Sequence, residues 1–256
     1  MKTAPGVNAK LCEARRKLNV LNRSIVRFAE GEPYSLRADE ALDPADPSLY
    51  HFALRVFQHK RLPAKRWSIW IDEITYHLRS ALDGAVYDIS ASAMRPEPTG
   101  TGFPIALERR KFDRTLIRYL TRDKRAFIKS VQPYDRPADP LWFLHEMNRR
   151  NKHRLPRFTS NIVGLDQRAL TNNLNITVTD LDLSKAILHA AIRAESGAEF
   201  VHLIYRKTGP NPHVKVNMKL QIDIELEQWR LTGDEGLVSQ TVTRVEEVIS
   251  TLYSRS

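Results

Sequence analysis

The sequence predicts an α+β fold, in which a mostly helical N-terminal half packs with a C-terminal antiparallel sheet and a final helix. Three observations carry this reading. Up to about residue 156, apolar residues recur at three- and four-residue steps. The stretch Val214–Leu226 alternates apolar and polar almost without a break, as an antiparallel strand with one wet face does. Residues 237–252 then return to helical spacing through Val238, Val242, Val245, Val248, Ile249 and Leu252. The 256 residues suit one large domain or two small ones. The expected division is a basic helical region with one early strand, 1–156, and a sheet plus C-terminal helix, 157–256, which can share one core.

Each element has its own signal. Val7, Leu11, Leu18, Leu21, Ile25 and Phe28 predict a helix over residues 7–30, stopped by Gly31 and Pro33. Residues 32–48, rich in Asp, Glu, Ala and Pro, read as an exposed loop. Phe52-Ala53-Leu54-Arg55-Val56-Phe57 predicts a strand within 49–62, ended by Pro63. Residues 64–92 carry the longest helical pattern. Its apolar stripe, from Trp67 through Ile71, Ile74, Leu78, Leu82 and Val86 to Ile89, is broad enough for a central helix packed on more than one side. Pro96, Pro98, Gly100, Gly102 and Pro104 make 94–104 a loop. Helices are expected over 112–120 and over 121–131, the second capped by Thr121. Asp139-Pro140 starts another that runs to about Arg154 and is closed by Pro156. Beyond residue 157, strands are expected at 175–180, 186–194, 200–205 and 214–226. Ser196-Gly197-Ala198 and Thr208-Gly209-Pro210-Asn211-Pro212 supply turns between them.

The charge is placed unevenly. Through residue 156 there are 29 Lys plus Arg against 18 Asp plus Glu, a net of +11; from residue 157 the count is 11 against 12, a net of −1. Such a localised positive field favours phosphate-bearing or otherwise acidic partners, and equally serves as a solvated surface. The single cysteine, Cys12, cannot form an internal disulfide or a cysteine-based zinc site, and reads as a small buried hydrophobe on the first helix. No apolar run has the roughly 18 residues a membrane helix needs. The first residues lead into a charged amphipathic stretch instead of a signal-peptide core, so no membrane partner and a cytoplasmic location are expected.

Two segments place polar chemistry beside a buried face. On the long helix, Glu73 and His77 are four apart, as are Arg79 and Asp83. An acid beside His77 would fix its ring, making His77 an acid/base group and Arg79 an anion clamp; structurally, the same pairs lock a bundle. On the later helix, His145, Arg149 and His153 form a ladder, with Asn148 and Lys152 beside it. Arg149, Arg150, Lys152, His153 and Arg154 fill the last turns, where cations complement the helix dipole and could also grip phosphate. His145 and His153 lie two turns apart, roughly 12 Å by helical rise, which is too far for one metal ion. No metal ligand set, cofactor loop or nucleotide fingerprint is present in the sequence, so neither a metal nor a cofactor is expected.

At His77-Leu78-Arg79-Ser80-Ala81-Leu82-Asp83 and Asn151-Lys152-His153-Arg154 the chain resembles an uncharacterised bacterial protein family. Its members carry a similar His-x-Leu-Arg-Ser-Ala-Leu-Asp helix and a helix end like Asp-Lys-His-Arg. Phe103-Pro104-Ile105, Gln132-Pro133-Tyr134 and Pro140-Leu141-Trp142 look like it too. The resemblance covers about residues 65–155 and implies no known activity. A fainter likeness is to HEPN-type helical domains, whose RNase members place His five to seven residues after Arg. Here Gly84 stands where that His would fall after Arg79, Arg149 to His153 is one residue short, and Arg206 to His213 lies in an apparent turn.

Three readings follow. The first is a basic protein that binds RNA, DNA or another polyanion through Arg79, Arg149, Arg150, Lys152, His153 and Arg154. The second is a metal-independent, HEPN-like RNase in which His77 and His153 exchange protons and Arg79 and Lys152 steady phosphate charge. The third is a structural or interaction module whose motifs lock helices together. The first two require the two segments to meet in one water-accessible hollow.

Overall fold

A computed structural model describes residues 3–93, 98–136, 139–151, 156–163, 180–181, 187–188, 191–194, 197–206, 221–226, 229–230 and 236–254. The fold is α+β. The helices are α1 (Pro5–Glu30), α2 (Ala64–Ala93), α3 (Arg122–Ser130), α4 (Pro140–Asn151) and α5 (Leu237–Ser254). The strands are β1 (Tyr34–Leu42), β2 (Leu49–Gln58), β3 (Phe158–Val163), β4 (Asp180–Leu181), β5 (Ile187–Leu188), β6 (Ala191–Arg193), β7 (Glu199–Arg206), β8 (Gln221–Leu226) and β9 (Trp229–Arg230). One sheet has the order β1-β2-β7-β4, with β5 also on β7, and the other has β6-β3-β8-β9.

Two compact units form, and they interleave along the chain. One takes residues 1–24, 63–157 and 226–256; the other takes 25–62 and 158–225. Both ends of the chain belong to the same unit.

In the first unit α2 is the hub. Trp67, Ile71, Ile74, Leu78, Leu82, Ala85 and Val86 on it are fully buried, as the width of its apolar stripe predicted. α1 runs beside it, tied by Lys17 to Glu73 at 2.5 Å and by Trp67 Nε1 donating to Ser24 Oγ at 2.9 Å. The Glu73–His77 pair expected from spacing is therefore absent: the carboxylate is taken by Lys17. Val7, Leu11, Ala14 and Leu21 form the buried stripe of α1 in this unit, and Cys12, one residue off it, is exposed, which corrects its expected burial.

α4 begins as expected. Asp139 Oδ1 accepts the Leu141 N–H at 2.9 Å, with Pro140 at the first helical position. Its other oxygen accepts from Arg244 Nε on α5 at 3.1 Å, and the ion pair brings Nη2 to 2.9 Å. Tyr253 of α5 donates to Asp88 of α2 at 2.9 Å; burial, then this bond, pushes the phenol up to about 12.

The expected helix over 112–120 is replaced by one short 3₁₀ turn, Thr115–Ile117, and another, Arg109–Lys111, precedes it. The Asp113 carboxylate accepts from both the backbone N–H and the hydroxyl of Thr115, at 2.8 and 2.6 Å. This offers the backbone a local alternative to a helix. α3 follows, capped by Thr121 as expected.

In the second unit the expected loop over 32–48 is a strand. Tyr34–Leu42 pairs antiparallel with β2, from Tyr34 opposite Gln58 to Leu42 opposite Tyr50. Only 43–48 is loop. Asp43 Oδ1 accepts the N–H groups of Ala45 and Asp46, turning the chain back. β2 pairs in turn with β7, with a register shift at Leu54/Arg55. Gly197, at φ +88°, meets β2 there: its N–H donates to the Val56 carbonyl at 2.8 Å. That backbone conformation suits glycine. The strand expected over 200–205 is β7, and that over 186–194 is split into β5 and β6. Most of the strand expected over 175–180, the first half of 214–226, the turn at 208–212 and His213 lie outside the described residues.

A candidate anion cleft between two helices and a strap

An extended strap, residues 101–106, lies in the first unit and is held by two side chains, one from α2 and one from the turn just after α3. Asp83 Oδ1 of α2 accepts the Phe103 N–H at 2.8 Å. Gln132, just after α3 and fully buried, accepts the Ala106 N–H at 3.0 Å through Oε1 and donates to the Pro104 carbonyl at 2.9 Å. Its Nε2 also donates to the Ile128 carbonyl at 2.9 Å, so the amide uses three backbone partners. His145 of α4 and Ile105 of the strap line the same cavity. Gly102 eases the approach, because a Cβ there would sit 3.1 Å from Asp83 Oδ1 and push it back by a few tenths of an ångström.

The strap forms one wall of a cavity of about 700 Å³. Arg79 and Asp83 of α2, Pro104 and Ile105 of the strap, Lys111, Asp113 and Leu116 of the 3₁₀ segment, and His145, Asn148 and Arg149 of α4 line it. Three cations thus face two carboxylates, an imidazole, an amide and a small apolar patch. None of the cations is bare. Arg79 contacts Asp83 at 3.1 Å from Nε and 3.0 Å from Nη2. Arg149 donates to Glu146 at 2.8 Å, and Lys111 pairs with Glu108. Asn148 donates to the Leu144 carbonyl at 2.9 Å.

The expected meeting of the two segments occurs in part. Arg79 and Arg149 line one cleft. Arg150 does not; it donates, as Arg149 does, to the buried carboxylate of Glu146, at 3.2 Å. The Arg149 hydrogen bond is the main force holding the Glu146 carboxyl below its ordinary range, against its burial. His77 is not among the lining residues. Two positions along a helix turn a side chain by about 200°, so Arg79 and His77 point apart. His77 instead packs on the edge of Tyr76, ring centroids 5.5 Å apart, and acts electrostatically on Glu13. Lys152, His153 and Arg154 lie outside the described residues.

The imidazole of this cleft is His145, which stood in the expected ladder without a part in the chemistry. Burial, reinforced by Arg79 and Arg149, pushes its pKa below the ordinary imidazole value. The unfolded chain then protonates at this position before the folded one as pH falls below about 6.5. Stability contributed here is level above that value and declines as the pH drops through and below it. His145→Gln should make the acid decline of the melting temperature shallower; an unchanged profile would show that His145 has no part in it.

Comparison of the chain with protein-family models, curated proteins and solved structures finds no match. The family likeness therefore rests on its motifs alone. In this fold Asp83 and Gln132 of those motifs fasten the strap.

Proposed function

We propose that the protein binds nucleic acid, taking backbone phosphate into the strap-walled cleft. The observation that supports this most is the convergence of Arg79 and Arg149, seventy residues apart in sequence, with Lys111 on one cavity of about 700 Å³. The existing partners of these cations do not preclude it. The Arg149 side chain is 63% exposed, and Arg150 also donates to the buried Glu146 carboxylate, which therefore keeps a partner when Arg149 turns to phosphate. The sequence adds Lys152, His153 and Arg154 directly after α4, on the same basic stretch.

The test is fluorescence anisotropy with a labelled single-stranded RNA, and with duplex DNA, across a salt series. Binding through three phosphate contacts gives a log–log salt slope of about −2 for a single strand. Absence of binding, or an affinity indifferent to salt, would overturn the reading.

A further inference from the structure

A second cluster lies on one face of the β2–β7 pair, wholly within the other unit. The register sets His51 opposite Ile204 and Ala53 opposite His202, so the two histidines are diagonal neighbours on the same face. Nδ1 of His51 and Nε2 of His202 stand 3.0 Å apart. Behind each ring is a carboxylate: His51 Nε2 lies 2.6 Å from Asp43 Oδ2, and His202 Nδ1 lies 3.2 Å from Glu199 Oε1. Asp43 is held in place by the two backbone N–H groups of its turn, and Glu199 by Arg55 at 3.3 Å.

The hydrogen bookkeeping of this row constrains what joins the rings. An ionised carboxylate only accepts, so in the tautomer that answers both carboxylates the hydrogen sits on each outer nitrogen, whereas moving the His202 hydrogen to Nε2 makes an ordinary hydrogen bond to His51 and gives up the Glu199 contact. In the first tautomer each neutral ring turns a lone pair inward, and two lone pairs at 3.0 Å repel unless a positive species bridges them. A shared proton or a metal ion would satisfy them. Three features favour the metal. A carboxylate behind each imidazole fixes the tautomer and raises the basicity of a ligating ring. The nitrogen separation is near the roughly 3.3 Å that follows for two tetrahedral ligands at about 2.0–2.1 Å from zinc. The two carboxylates also offset a double positive charge.

We propose that His51 Nδ1 and His202 Nε2 form a two-histidine site for a divalent transition-metal ion of the zinc and copper class, which imidazole suits. Both side chains are 30% exposed, so the ion is reached from solvent. Among the described residues no group of three His, Cys, Asp or Glu side chains converges on a metal position. Water or an exogenous ligand completes the coordination, which leaves the site open and the ion exchangeable.

Calorimetric titration of the full chain with Zn²⁺, in a non-coordinating buffer near neutral pH, tests this. One saturable site per chain is expected, lost in His51→Gln and in His202→Gln. Asp43→Asn should weaken it about 10–100-fold through the ring it holds. Glu199→Gln, at the other end of the row, should act in the same direction; these two variants keep both ligands and serve the test if a histidine variant fails to fold. Absence of saturable binding, as a shared proton would give, overturns the proposal. So does binding that survives the histidine or carboxylate substitutions unchanged, because it would then belong to the other six histidines.

Discussion

Gln132→Leu is expected to lower the stability of the first unit by about 3 kcal/mol. Leucine fills a similar volume but leaves the Ala106 N–H and the Pro104 carbonyl without their partner, in a place where Gln132 is fully buried and Ala106 is 4% exposed. Each buried backbone group stranded in this way costs about 1–3 kcal/mol. For a chain of this size that is a fall in melting temperature on the order of 10 °C. The strap also carries Pro104 and Ile105, so the cleft should lose its wall and its affinity for anionic ligands together. A variant that melts with the wild type would mean the strap is held by something other than this amide.

The second large effect is expected at Asp139. Its carboxylate does two things with its two oxygens: it caps α4 and it receives Arg244 from α5. Losing a cap costs about 1 kcal/mol. Removing one partner of a buried ion pair costs about 3–5 kcal/mol, and here the lower end applies because Arg244 keeps Glu247 at 3.4 Å. Asp139→Ala should therefore destabilise by about 3–4 kcal/mol. Asp139→Asn keeps an oxygen for the cap and should cost clearly less. A double-mutant cycle with Arg244→Ala should return a coupling energy of about 0.5–3 kcal/mol. Strict additivity would mean that the pair does not bridge α4 to α5 in solution.

How much of this was legible in the sequence depended on whether the deciding partner was near in the chain. α2, α4 and α5 were readable because a 3.6-residue period and a local cap specify them. β1 was not, because Ala38-Asp39-Glu40 dilutes its alternation, and its identity as a strand comes from β2 across the hairpin. The helix expected over 112–120 failed for the opposite reason: local hydrogen bonds donated by Thr115 to the Asp113 carboxylate outweighed a weak apolar pattern. At the site, Arg79 and Arg149 were visible as cations beside a buried stripe. Lys111 and His145 were not separable from their neighbours until the strap brought them round. His77 was drawn in by proximity in sequence, although the helix turns it away from Arg79. The His51–His202 contact spans 151 residues and rests on a strand register that no local pattern encodes.

The central claim is that binding is localised to the cleft and not spread over a basic surface. The most direct measurement compares two variants that remove the same charge: Arg149→Ala in the cleft, and Arg125→Ala on the exposed face of α3, outside the lining residues. Their affinities for single-stranded RNA are measured across a salt series. The account predicts that Arg149→Ala weakens binding and makes the salt slope shallower by about 0.7, while Arg125→Ala leaves both as they are. Equal losses in the two variants would contradict it.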